Sequence, residues 1–329
     1  LFAGQAPGIT VLHSNAAGWA RTRIPSSGER ILLDARMVDD RLGHIAYHES
    51  GVWMPHVMSW DGSCWTDHSI GDVRAGTVVV DTDARKRLWV GWASYDASGT
   101  RALHLRHPDG QSRSLDVTGD APVDGAPLRL LPGGLDGMAD SPALFARFKN
   151  GIRILSEDPA TSSGWRSSTV PESQSPYTGT DDCPSIVPTF APVPDLCDGK
   201  TTCTSQSSGT ATGFGLARTR SGAVFASWME YASEGSYALA VGCSGELTQC
   251  ACERSQLRGS GTARLVLARL TGAAPTLTRF AFPMSSATEY LKVDLAMVAR
   301  GETLVVAANR GGDLSPTMTY LEIDSQRLP

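Results

Sequence analysis

The residues of this chain best able to do chemistry are acidic and guanidinium side chains set inside short apolar runs. Asp34 and Arg36 interrupt Ile31–Val38, Asp81 and Asp83 close Thr77–Thr82 and its turn, and Asp140, Arg218, Arg220 and Asp294 stand at comparable places. Glu230 falls within Trp228-Met229-Glu230-Tyr231. Asp and Arg are depleted in strands, so their recurrence there needs a reason. Glycoside hydrolysis needs a carboxylic acid of raised pKa and a second carboxylate across the scissile bond. Asp34, Asp81 and Glu230 are therefore the candidate catalytic groups, and Arg36, Asp83, Asp140, Arg218, Arg220, Tyr231 and Asp294 are candidates for holding a polar ligand. Trp89, Trp92, Trp228 and Tyr231 could add apolar platforms for sugar rings, although Trp on such strands is more often core between sheets. The competing expectation is that each Asp caps a neighbouring turn by accepting from local backbone.

Other chemistries find less support. All seven histidines precede residue 108: His13, His44, His48, His56, His68, His104 and His107. His44 and His48 share a strand face by period-two geometry, but a transition-metal centre needs several such ligands to converge. No metal or other cofactor is expected. No Gly-x-Ser-x-Gly nucleophile elbow occurs. Six of the seven cysteines, Cys183, Cys197, Cys203, Cys243, Cys250 and Cys252, crowd into one loop-rich stretch. That pattern reads as up to three disulfides and a secreted, periplasmic or cell-surface location. Cys250-Ala251-Cys252 lacks the two-residue gap of a zinc knuckle. Cys64 is left over, and a buried thiol is expected there.

The elements that would position these groups come from a recurring phrase, a small turn followed by an apolar run. It appears at Val38–Tyr47, Thr82–Trp92, Arg147–Leu155, Arg218–Trp228 and Ala299–Ala307. Repetition at this spacing means an array of like supersecondary units. Each reads as a four-stranded meander: in the first, Ile31–Val38, Gly43–Glu49, Val52–Ser59 and Trp65–Ile70 are divided by turn residues. Helical periodicity is nearly absent. Radial repetition of four-stranded units points to an all-β propeller of five blades, with six left open. Leu12–Ile24 matches Met58–Ile70 along its length, so the chain ends are expected to share one blade and close the ring. Two Cys-rich insertions, at about 171–212 and 232–262, break the period and are expected to cap one face as long loops.

With 329 residues the chain can bury a large single domain. Its net charge of −5 with both signs interspersed argues against a nucleic-acid partner. No apolar run approaches the length of a membrane span.

Ser59-Trp60-Asp61-Gly62-Ser63-Cys64-Trp65 resembles the Asp-box of sialidase-like propellers, with Gly directly after Asp and Cys in place of Thr. Weaker echoes are Ser14–Trp19 and Ser156–Trp165. The resemblance implies a propeller fold in which the box forms a structural turn away from the active site. Arg23-Ile24-Pro25 is similar to the motif that carries an arginine of the sialidase triad, but it aligns with the end of an outer strand. Five-bladed glycoside hydrolases resemble the chain in drawing carboxylates from the inner strands of different blades. The expectation is a secreted propeller that binds a glycan or other polar ligand on its decorated face. Glycoside hydrolysis at the channel mouth and a surface adhesion module are the alternatives.

Overall fold

The computed structural model describes residues 2–4, 9–15, 18–24, 30–38, 42–49, 54–70, 74–96, 99–117, 120, 122–123, 127–135, 142–149, 151–170, 177–183, 189–190, 197–244, 249–271, 275–282, 295–310 and 317–328. The protein is all-β; among these residues the sole helical element is a 3-10 turn at Ser325–Arg327. The chain divides into two compact units, Leu1–Pro171 and Glu172–Pro329.

The first unit holds four antiparallel sheets, each made of consecutive strands. They are β1 (Phe2–Gly4), β2 (Ile9–Asn15) and β3 (Gly18–Ile24); β4 (Arg30–Met37), β5 (Gly43–Glu49), β6 (Pro55–Trp60) and β7 (Trp65–Ser69); β8 (Ala75–Thr82), β9 (Leu88–Asp96), β10 (Gly99–Arg106) and β11 (Ser112–Asp116); and β12 (Arg129–Leu131), β13 (Ala143–Phe148), β14 (Gly151–Glu157) and β15 (Trp165–Val170). The first strands of successive sheets, β1, β4, β8 and β12, are spatial neighbours in that order. Apolar layers fill the gaps between sheets. Ile24 packs with Ile45 and Tyr47; Ala46 and Val57 pack with Val78, Val80, Val90 and Trp92; Leu103 and Leu105 pack with Leu144, Phe148 and Leu155.

Short turns fix these registers. Asp61 turns the chain between β6 and β7, its Oδ1 accepting from the Ser63 and Cys64 amides and the Ser63 hydroxyl. This is the Asp-box segment, and here it is a turn. Cys64 is exposed rather than buried, because the same turn carries it outward and aims its Sγ at Asp61 Oδ2. Asp158 does the like between β14 and β15, accepting from the Ala160 amide and from Arg166.

The second unit contains a six-stranded sheet: β16 (Tyr177–Asp181), β17 (Thr189–Phe190), β18 (Thr202–Arg218), β19 (Val224–Ser244), β20 (Gln249–Arg269) and β21 (Thr276–Phe282). Beside it lies a three-stranded sheet, β22 (Leu295–Arg300), β23 (Thr303–Arg310) and β24 (Thr317–Asp324), packed through Phe225, Leu265, Leu267, Met297, Leu304 and Val306.

Phe2–Gly4 pairs with Ile9–Val11 and supplies a strand that the sequence did not reveal, so the described strands near each end of the chain make a three-stranded sheet of their own unit. One expectation is corrected. The described parts of the insertions are not irregular loops. β18, β19 and β20 run on past their sheet as a ribbon, with β19 and β20 at 21 residues each, about 70 Å at full extension. A register shift between Thr210 and Phe214 marks where the ribbon leaves the sheet. Cys183–Cys203 and Cys197–Cys252 cross-link the ribbon. Cys250 is disulfide-bonded too and stands opposite Cys243 in the ladder; the Cys243 side chain lies outside the described residues.

Gly91 on β9 allows the second four-stranded sheet to approach the third. A Cβ there would come within 2.7 Å of Leu144 Cδ1 and 3.1 Å of Val79 Cγ1, and Leu144 is wholly buried. Gly91→Ala is expected to cost about 1–3 kcal/mol, read as a lower urea midpoint with an unchanged slope.

Candidate functional site

Two neighbouring first strands bring the leading candidates together. Asp34 lies in β4 directly after a register shift between Leu32 and Asp34, the kind of irregularity that re-aims a side chain. Its Oδ2 accepts the Val80 N–H of β8 at 2.8 Å. β8 is the edge of its sheet, so this carboxylate satisfies an edge amide. Two residues on, Arg36 Nε donates to Asp81 Oδ1 at 3.0 Å, and the Thr82 amide donates to the same oxygen at 2.8 Å. Asp81 is 20% exposed and Arg36 52%, so the cluster is open to solvent on one side.

Burial pushes the Asp34 carboxyl above its ordinary value, against hydrogen bonds from the Val80 and Ala35 amides and the fields of Arg129 and Arg36. Burial also raises Asp81, Arg36 and the Thr82 amide oppose it, and the Asp34 charge adds to the rise. The site is thus two mutually repelling carboxyls with two guanidinium groups beside them. Clusters of perturbed acids of this kind are characteristic of functional sites. Such a group can accept hydrogen bonds from hydroxyls, donate to oxygens through Arg36, and hold a proton to higher pH than an ordinary carboxyl.

The sequence did not single out Arg129. It lies in β12, a three-residue strand inside Leu128-Arg129-Leu130-Leu131, and its only signal was a charge set among leucines. With β12 as the first strand of its sheet, Ala143–Phe148 becomes the second. Asp140 and Asp294 lie outside the described residues.

The remaining candidates are not brought into this cluster. Asp83 is a turn residue: its side chain is fully buried, and its oxygens accept from the Arg85 and Arg87 amides, Arg87 Nε and Trp89 Nε1. Glu230, in the second unit, is buried against Arg279 of β21 at 3.3 Å. Arg218 reaches the Gly222 carbonyl across its own turn, and Arg220 is exposed while its amide donates to the Gly301 carbonyl. Tyr231 is buried. Trp89, Trp92 and Trp228 are 2%, 3% and 0% exposed, so they are core and offer no platform to a ligand. Asp34, Arg36 and Asp81 also fall in the closing halves of β4 and β8, not at their openings. They therefore lie toward the first-to-second-strand turns of their own sheets.

No family model and no curated protein matches the chain. Among solved structures, an endo-arabinase from Bacteroides thetaiotaomicron VPI-5482 is similar at 11% identity over 78% of this chain and 94% of its own, with a TM-score of 0.29. A post-proline cleaving enzyme from Rickettsia typhi is similar at 7% identity, with a TM-score of 0.31; the match takes in 94% of this chain but 58% of that one. Likenesses of this order decide neither fold nor activity.

Because burial raises the Asp34 pKa, its ionised form destabilises the fold, and that penalty fades as pH falls through the raised value. Asp34→Asn is expected to raise Tm at pH 7 by about 2–4 °C, the scale of a 1 kcal/mol relief. The gain should shrink as pH falls and vanish below the ordinary Asp value of 3.8, where the carboxyl is protonated in both states. A lower Tm at pH 7 would show that Arg129 and Arg36 outweigh the burial.

Proposed function

We propose that the protein is a secreted β-propeller whose sheets are its blades, and that it binds a polyhydroxylated ligand, a glycan, through Asp34, Arg36 and Asp81. Support for the architecture comes from the meander order of the first unit's sheets and from their side-by-side first strands. The six described sheets favour six blades over five. The disulfides support an oxidising compartment.

One observation carries the functional reading: two burial-raised carboxyls sit beside exposed Arg36 on adjacent first strands. Retaining such a group at a cost in stability makes sense where it meets a ligand. Carboxylates accept from sugar hydroxyls and a guanidinium donates to sugar oxygens, which suits recognition without an aromatic platform. Titration calorimetry against a panel of neutral and acidic oligosaccharides tests this. At least one is expected to bind, with Asp81→Asn and Arg36→Ala each weakening it tenfold or more, about 1.4 kcal/mol. Undiminished binding by both variants would reject the site.

The raised carboxyls also favour a second reading, glycoside hydrolysis, because one acid held protonated near a second carboxylate is its chemical requirement. Reducing-sugar release lost in both Asp34→Asn and Asp81→Asn would select hydrolysis. Binding without turnover would select the lectin reading.

A further inference from the structure

The surface that joins the β4–β7 sheet to the β8–β11 sheet is apolar at its centre, where Ala46, Val57 and Ile70 meet Val78, Val80 and Val90. A layer of imidazoles shares that surface. His44 of β5 is 3% exposed, and its Nδ1 lies 2.6 Å from Ser59 Oγ on β6. Its Nε2 is buried with no hydrogen-bond partner, and so is Nε2 of His68 on β7. From the other sheet, His104 of β10 stacks on Trp92 at 4.8 Å, with its Nε2 held by Ser94 Oγ at 2.8 Å. The indole nitrogen of Trp92 is likewise buried without a partner.

A neutral imidazole tolerates this setting: donating from Nδ1 to Ser59 leaves His44 Nε2 as a bare lone pair. Protonation would place an N–H there with no acceptor and a charge with no counter-ion, and a buried unpaired donor is costly. Every neighbouring element withholds compensation. On β4, Arg36 is the register partner of His44 and is engaged with Asp81 of β8. On β5 itself His48 is buried four residues along. β6 contributes the neutral Ser59. On β7, His68 repels a second positive charge on His44; Asp67 lies 3.4 Å from His56 and favours a charge on His68, though less than burial and Arg106 oppose it. On β10 stand His104 and Arg106, the latter opposing a charge on His68.

We propose that this surface is an acid-operated latch: protonation of His44 opens the seam between the two sheets and so parts Asp34 from Asp81. The same seam carries the Val80–Asp34 hydrogen bond and the Arg36–Asp81 ion pair. Opening it therefore dismantles the cluster described above, and the regulatory meaning of the latch rests on the ligand-binding reading of that cluster.

The sign follows from burial, which lowers the His44 pKa from 6.5 to about 4, and lowers His68 and His104 as well. An opened seam binds the proton more tightly than a closed one. Stability from a neutral His44 is thus complete above pH 6.5 and lost as pH falls toward 4. Asp34 and Asp81 act in the opposite direction, so the comparison must be between variants at equal pH. The Val80 amide, bonded to Asp34 across the seam, reports opening by hydrogen exchange. Between pH 7 and pH 4 its opening constant is expected to rise about a hundredfold in the wild-type chain, and less than tenfold in His44→Gln. An equal rise in both, or none in either, overturns the latch. Should His44→Gln fail to fold, the His44 ring resonances of the wild type decide: titration near pH 4 supports the latch, and titration at 6 or above rejects it. No ligand enters this experiment, so its failure is separate from a failure of the glycan reading.

Discussion

The first unit depends on how one sheet edge is satisfied. A sheet made of consecutive strands leaves its first strand unpaired on one side, and an unpaired buried N–H is expensive. In β8 the Val80 amide meets the Asp34 carboxylate instead of another strand. That bond holds two sheets at a fixed spacing without fusing them into one. The same placement draws a carboxyl out of water, and that burial raises its pKa against the bond and sets it near Asp81. Architecture and candidate chemistry thus share one interaction, and neither can be altered without the other.

The same economy shapes the gaps between sheets. Buried apolar side chains fill the described gaps between sheets, and close approach is possible at Gly91 because nothing projects from it toward Leu144. Polar groups inside such gaps must be neutral or locally matched. The Asp83 turn meets that condition by enclosing its charge in four hydrogen bonds. The His44 layer meets it by remaining uncharged.

Much of the fold was legible because short apolar runs separated by Asp, Asn and Gly turns leave few options. The strands of the first four-stranded sheet fall within three residues of where its turn residues divided them. β12 was missed because three residues show no periodicity, and with it went Arg129. The ribbon was missed for another reason: Ser, Gly and Thr dominate its strands, and their extension is imposed by partner strands and disulfides instead of by apolar patterning. Asp34 and Asp81 were visible as charges out of place, but only tertiary placement separates them from Asp83, which looked equivalent in sequence and proved to be a cap. The tryptophans misled in the opposite direction, since sequence alone does not distinguish an indole in a core from one on a surface.

The meander order of the sheets has a consequence for how the molecule is made. Each sheet of the first unit is complete within one contiguous stretch, so its pairings are local and close rapidly. Such a chain can acquire structure progressively as it is synthesised, one sheet after another. Cys197–Cys252 is different in kind: it joins residues 55 positions apart. Its formation must await emergence of nearly the whole ribbon, and oxidation there becomes a late step in maturation.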